Sequence, residues 1–243
     1  MENKSGTLAW ILHRYPFGDA SFILEVWTET FGRLGLLARD ARRKGGWQPG
    51  QPYWMRWGGR GELPTLHSLE ELPLAPGKSV PPLLLFYINE LILRLCERND
   101  PHPALYQEYV RTLAALGDEP LAYWHLRRFE RRLLEHLGWA ADLQHCSQCA
   151  CLLSTEQEIF CQTGAGLFCT RHRPAAAKSL RKEVWQWLCG PMNEAPAPGL
   201  MAELRRYLAA ELQLPLGGRS LESRRLLAAY LQARAGHSRG LGK

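Results

Sequence analysis

Ser21–Arg39, SFILEVWTETFGRLGLLAR, decides how the first third of the chain folds. Phe22, Leu24 and Val26 alternate with other residues, and so do Leu34, Leu36 and Ala38. Side chains along a strand point to opposite faces in turn, so each run presents one apolar face. The turn Thr30-Phe31-Gly32 lies between them, and the pair reads as a β-hairpin. Arg33 and Arg39 fall on the opposite, outward face.

Further β-like runs flank this hairpin: Thr7–Arg14 before it, then Tyr53–Trp57 and Leu63–Leu69 after it. Pro16 and Gly18, Gly45-Gly46 with Pro49-Gly50, and Gly58-Gly59-Arg60-Gly61 separate them as turn signals. Five short strands within residues 1–80 match an OB-fold, a Greek-key barrel that often carries single-stranded nucleic acid. In the fourth run Trp54 and Arg56 share a face opposite Tyr53, Met55 and Trp57. A basic cluster, Arg39, Arg42, Arg43 and Lys44, leads into a loop with Trp47. Cations answer phosphates and aromatic rings stack on bases, so Arg33, Arg39, Arg42, Arg43, Lys44, Trp54 and Arg56 are the candidate DNA-binding set. Against this stands an equal alternative in which the tryptophans are core and the basic cluster only solvates a loop.

From Pro81 the period changes to that of helices. One is predicted from Pro81-Pro82 to about Asn99, its apolar stripe holding Leu84, Leu85, Ile88, Leu91, Ile92 and Leu95. A second runs from Pro103 to Leu116 and a third from near Pro120 to Gly138. The third has Leu126, Phe129, Leu133 and Leu137 on one side and Arg127, Arg128, Arg131 and Arg132 on the others. Ala175–Cys189, Leu200–Leu212 and Leu221–Ala235 are predicted as later helices. The expected fold is α+β: a five-stranded barrel (1–80), an all-α helical domain in two parts (81–145 and 175–235), a zinc-ribbon-like insertion (146–174), and a disordered tail (236–243). The formal net charge is +6, concentrated in residues 175–243, which hold eleven basic and five acidic side chains. A basic end suits a polyanion, as it suits a solvated helix face.

Seven cysteines are present, and five of them fall between 146 and 169. In a chain whose thiols stay reduced such a cluster points to metal before disulfides. Cys146, Cys149, Cys169 and His172 form C-x2-C-x19-C-x2-H, the paired-knuckle spacing of a structural zinc site. Cys151 in place of Cys149, Cys161 in place of His172, and the neighbouring His145 remain alternatives. Four protein ligands would fill a tetrahedron and leave no open position for catalysis. Cys96 and Cys189 lie in helical apolar patterns and read as buried thiols.

Other chemistry has no visible seat. There is no P-loop lysine motif, no H-E-x-x-H, no deaminase H-x-E with P-C-x-x-C, no G-x-S-x-G elbow, and no carboxylate cluster for Mg²⁺. No apolar run approaches the roughly 20 residues that span a bilayer. The opening MENKSGTLAW lacks the layout of a secretory signal, so a cytoplasmic protein with no membrane partner is expected.

Taken in order, several stretches resemble the bacterial RecO family of recombination mediators. They are WILHRYP (Trp10–Pro16), LEVWTETFGRLGL (Leu24–Leu36), GGRGELPTL (Gly58–Leu66), YINEL (Tyr87–Leu91), LRRFERRLLEHLGW (Leu126–Trp139) and GGRSLESRRL (Gly217–Leu226). The resemblance implies an OB-fold followed by helices, with an inserted four-cysteine zinc site whose last ligand is here His172. At Asp40, after the third strand, the family's usual glycine is absent. The resemblance also implies binding of single- and double-stranded DNA and annealing of complementary strands. It implies joint action with RecR in loading RecA onto strands coated by the single-strand binding protein, SSB, with RecF a further candidate partner. The SSB C-terminal tail, acidic and ending in Phe, would dock on the helical domain, where Arg127 occupies the family's position and Arg128 stands beside it. Such a protein is not an enzyme. Readings from other classes are a zinc-dependent nuclease or hydrolase and an OB-fold RNA-binding accessory protein.

Overall fold

The computed structural model describes residues 3–41, 47–59, 61–73, 79–118, 123–197, 199–227 and 229. Strands β1 (Asn3–Phe17), β2 (Ser21–Thr28), β3 (Gly32–Ala38), β4 (Pro52–Gly58) and β5 (Thr65–Glu71) close a barrel in the order β1-β2-β3-β5-β4. This is the OB-fold. β1 pairs on both sides, with β2 from Ala9 onward and with β4 along its first half, which is why it outruns the predicted eight residues. Closure comes from one parallel contact, Leu37 against Thr65, where the Leu37 N–H donates to the Pro64 carbonyl at 2.8 Å.

The alternation in the sequence sets the barrel core. Ala9, Ile11, Leu24, Val26, Leu34, Leu36, Ala38, Tyr53, Met55 and Trp57 all point inward and are buried. Trp57 is fully buried, with Phe31 edge-on at 5.3 Å between ring centroids. Gly32 ends the β2–β3 turn at φ 68°, where an added Cβ would collide with the Asp100 carbonyl. Glycine alone meets both demands there.

Helix α1 (Pro82–Leu95) is held to the barrel by more than apolar burial. The buried Asn89 amide donates to the Leu12 carbonyl at 2.9 Å and accepts from the Tyr109 hydroxyl of α2 (Pro103–Asp118) at 3.0 Å. A buried amide left unpaired is costly, so these bonds fix where the helices lie. The Glu90 carboxylate, also buried, accepts from the backbone N–H groups of Glu222 and Ser223 at 3.0 and 2.9 Å, and from the Ser223 hydroxyl at 2.5 Å. It thereby satisfies the first turn of the helix that begins at 222, where backbone donors have no intrahelical partner.

Chain contacts define two compact units, Met1–Leu121 with Ser220–Lys243, and Ala122–Arg219. Thus α1 and α2 group with the barrel, whereas the sequence placed all of 81–145 in one helical domain. The second unit contains α3 (Trp124–His136), a sheet ordered β7-β6-β8, α4 (Lys182–Cys189) and α5 (Met201–Glu211). The sheet strands are β6 (Ile159–Gln162), β7 (Gly166–Phe168) and β8 (Lys178–Leu180). Lys178–Leu180 was predicted as helix; it is instead an edge strand, pairing with Ile159–Cys161, and the helix begins only at Lys182. The predicted tail at 236–243 lies outside the described residues. Among the described residues no helix is long and apolar enough to cross a membrane.

Candidate functional site

The barrel's outer surface carries part of the predicted basic and aromatic set. Along β4 the burial alternates, so that Trp54 and Arg56 face out while Tyr53, Met55 and Trp57 face in. Trp54 is 40% exposed and lies across Gly6 of β1, where a Cβ would strike the indole nitrogen. Gly6, at φ 85°, sits where the β1–β4 register slips, and this gap in side chains makes room for the ring. Arg56 donates to the Ser68 hydroxyl at 2.9 Å and stands 4.0 Å from Glu70. Arg39 is exposed at the end of β3. Arg42, Arg43 and Lys44 lie outside the described residues. Trp47 packs partly against the core, and its carbonyl accepts from Arg14 at 3.1 Å.

Arg33 has a different place. Its guanidinium pairs with the buried Glu25 at 2.9 Å and donates through Nε to the Cys96 carbonyl at 2.9 Å. Arg98 binds the same carboxylate from the other side. A buried carboxylate needs such partners, so Arg33 is occupied in joining β3 to the end of α1. Asp40 adopts φ 53°, a conformation natural to glycine that aspartate tolerates better than most side chains.

Four sulfurs converge in the second unit. The Sγ atoms of Cys146, Cys149, Cys151 and Cys169 lie within 4.8 Å of one another, with Cys149 and Cys169 at 4.0 Å. A tetrahedral site with metal–sulfur bonds of about 2.3 Å needs sulfurs roughly 3.8 Å apart, so this group can hold a metal ion. The first knuckle folds back on itself: Ala150 N–H donates to the Cys146 carbonyl at 2.8 Å, and Cys146 N–H to the Cys151 carbonyl at 2.9 Å. Ser147 N–H donates to the Leu167 carbonyl at 2.8 Å, tying the knuckle to β7. The second knuckle is the 3-10 turn Thr170–His172 after Cys169.

The structure places three of the four predicted ligands, Cys146, Cys149 and Cys169, in this group, with Cys151 as the fourth member. His172 stands beside it, its Nδ1 3.4 Å from Cys169 Sγ. Hydrogen bonding from His172 lowers the Cys169 thiol to about 6, against the opposing effect of desolvation. Desolvation raises Cys146, but N–H donors of Cys169, Cys149 and Gln148 outweigh it and leave the thiol below its ordinary value. The Cys151 thiol is pushed up to about 12, chiefly by its hydrogen bond with Cys149. Crowded thiols that resist shared ionisation are what a divalent cation would relieve. Inclusion of Cys151 requires Ala150 at φ 56°, and no spacing rule foretells that. Cys161 lies in β6 outside the four-sulfur group, and His145 Nδ1 pairs with Asp142 at 2.9 Å.

On α3 the predicted tail-binding arginines are both at least partly covered. Arg127 is buried and pairs with Glu130 at 2.9 Å; Arg128 is half-buried. Arg131 and Arg132 both reach Glu135, at 2.9 and 2.8 Å.

A closed five-stranded barrel, joined to helices and a four-cysteine group, places the chain among OB-fold proteins, an architecture that often carries nucleic acid. Comparison with known proteins narrows it. Residues 1–72 match the family described as Recombination protein O N terminal, and residues 83–188 match Recombination protein O C terminal. The DNA repair protein RecO of Acidithiobacillus ferrooxidans is 49% identical over 240 residues, covering 96% of this chain and 94% of that one. Those of Alkalilimnicola ehrlichii and Aliivibrio salmonicida are 37% and 32% identical, each over about nine-tenths of both chains. The chain belongs to the RecO family of DNA repair proteins.

Proposed function

We propose that this chain is a recombination mediator with no chemistry of its own, acting in the cytoplasm. It binds single- and double-stranded DNA on the outside of the barrel and anneals complementary strands. With RecR, and RecF as a further partner, it helps load RecA onto SSB-coated DNA. The observation that carries this is Trp54, exposed on the barrel wall beside Arg56 while its neighbours Tyr53 and Trp57 fill the core. An aromatic face that the core does not use is a stacking surface, and nearby cations meet the phosphates. Arg39, Arg42, Arg43 and Lys44 supply most of the charge, whereas Arg33, expected in this set from the sequence, is engaged by Glu25 and Cys96.

In this reading the cysteine group holds one structural zinc ion. Four soft thiolates suit zinc, fill its tetrahedron, and would tie two knuckles together where the surrounding sheet has only short strands. The SSB tail docks on the helical part near Arg127 and Arg128, both of which sit on α3. One experiment tests the mediator role. Complementary strands coated with SSB should anneal faster with the protein than without it, and an unchanged rate would refute it. Competition of single-stranded RNA against DNA in the same assay tests whether RNA is the preferred strand.

A further inference from the structure

The register of β1 against β2 slips between Ile11 and His13. Before the slip Ala9 and Ile11 point into the barrel core. One extra residue reverses the alternation, so the odd-numbered residues beyond it turn outward. His13, Tyr15 and Phe17 thus line one outer face, with alternate residues about 6.8 Å apart along the strand. The His13 and Tyr15 rings lie 4.4 Å apart, tilted by 36°. Tyr15 and Phe17 are 45% and 48% exposed, at the tip of the β1–β2 hairpin. Two exposed rings on one strand face, continuous with His13, form the kind of apolar surface that binding sites present.

The surroundings indicate what binds there. His13 and Tyr15 also line a cleft of about 630 Å³, whose wall includes Phe86, the arginines Arg33, Arg94 and Arg98, and the carboxylates of Glu25, Glu90 and Glu222. The side chains of Arg94 and Arg98 are 45% and 41% exposed. Arg94 stands 3.8 Å from Glu90, and Arg98 holds Glu25. A guanidinium has five N–H donors, so each pairing leaves donors for an anion. Arg14 lies over the Phe22 ring at 5.6 Å on the neighbouring strand, adding positive charge near the hairpin. Rings beside half-exposed arginines complement flat bases on a phosphate backbone, in a cleft large enough for a nucleotide.

We propose that Tyr15 and Phe17, backed by His13, form a stacking ladder for unpaired bases of single-stranded DNA, with the backbone passing Arg94 and Arg98. This rests on the DNA-binding reading above and extends it to a second stretch of the barrel surface, away from Trp54 on β4. A duplex hides its bases, so the ladder distinguishes single strands from double ones.

The test compares an oligothymidylate with an abasic strand of equal length, which keeps the phosphates and removes the bases. The wild-type chain should bind the thymidylate at least about tenfold more tightly, equivalent to 1.4 kcal/mol. Tyr15→Ser with Phe17→Ser should abolish most of that preference, leaving affinity for the abasic strand and the salt dependence unchanged. Tyr15→Trp with Phe17→Trp should retain it. Both pairs change exposed residues, and an unchanged melting temperature verifies the fold. A serine variant that keeps the full preference overturns the ladder while leaving DNA binding intact. A wild-type chain that binds neither strand overturns the DNA-binding reading itself, and the ladder with it.

Discussion

Arg127 and Glu130, one turn apart on α3, form an ion pair of 2.9 Å in which the side chains are 8% and 0% exposed. Removing Arg127 takes one partner from a carboxylate that stays buried, at a cost of up to about 3–5 kcal/mol. Arg127→Ala should therefore lower the melting temperature by on the order of 10 °C. Fluorescence anisotropy with an SSB tail peptide, run beside the melting curve, separates two roles. Unchanged melting with tenfold weaker peptide binding would make Arg127 the tail anchor rather than an internal partner.

The cysteine group makes a prediction about ligand identity. Protein purified without chelator should contain one zinc per chain by elemental analysis. Cys146→Ser and Cys151→Ser should each lose zinc and stability together, since metal binding and folding are coupled in such sites. His172→Ala should keep the metal, because Cys151 completes the four-sulfur group. Loss of zinc in His172→Ala, with retention in Cys151→Ser, would restore the C-x2-C-x19-C-x2-H set.

The basic stretch from Arg39 to Lys44 should act through phosphates. Neutralising Arg39, Arg42 and Arg43 together should flatten the dependence of log affinity on log salt by about 2 for single strands, if each meets one phosphate. Arg56→Gln should have a smaller effect, since Ser68 and Glu70 already engage this guanidinium. A full slope in the triple variant would move the main contact off this stretch.

His13 gives a pH signature. Burial lowers its pKa and outweighs Glu25, which acts to raise it, while Arg14 lowers it further. The unfolded chain therefore binds the proton more readily, and this residue's contribution to stability is present above about pH 6.5 and lost as pH falls. The melting temperature of wild type relative to His13→Gln should therefore fall as pH goes from 7.5 to 5.5. A constant gap would show that His13 does not couple folding to protons.

Much of this architecture was legible in the residues, and the misses have physical causes. Ser21–Thr28 was readable to the residue because Leu24 and Val26 alternate on a barrel face and Gly32 marks the turn. The outward direction of Arg33 was equally readable. Its partners were not, since Glu25 lies on the next strand and Cys96 sixty-three positions away. The strands of the second unit, three or four residues long, carry too little periodicity to be seen, and Lys178–Leu180 is a strand only through its pairing with β6. Cys151 entered the metal group through an unusual backbone angle at Ala150, and the aromatic ladder appeared through a bulge near Leu12. Both are one-residue departures from regularity, which pattern reading averages away.

The clasp between Glu90 and Ser223 has a consequence for how the chain is made. Ribosomes deliver residues in order, and domains commonly fold as they emerge. The barrel's own unit, however, takes a piece from Ser220 onward, after the whole of Ala122–Arg219 has been synthesised. Until then the Glu90 carboxylate lacks the donors of Glu222 and Ser223, and α1 waits for that partner although the five barrel strands are already made. A stop codon a few residues before Ser220 would thus damage the barrel's unit, most of which is made well before that codon is reached.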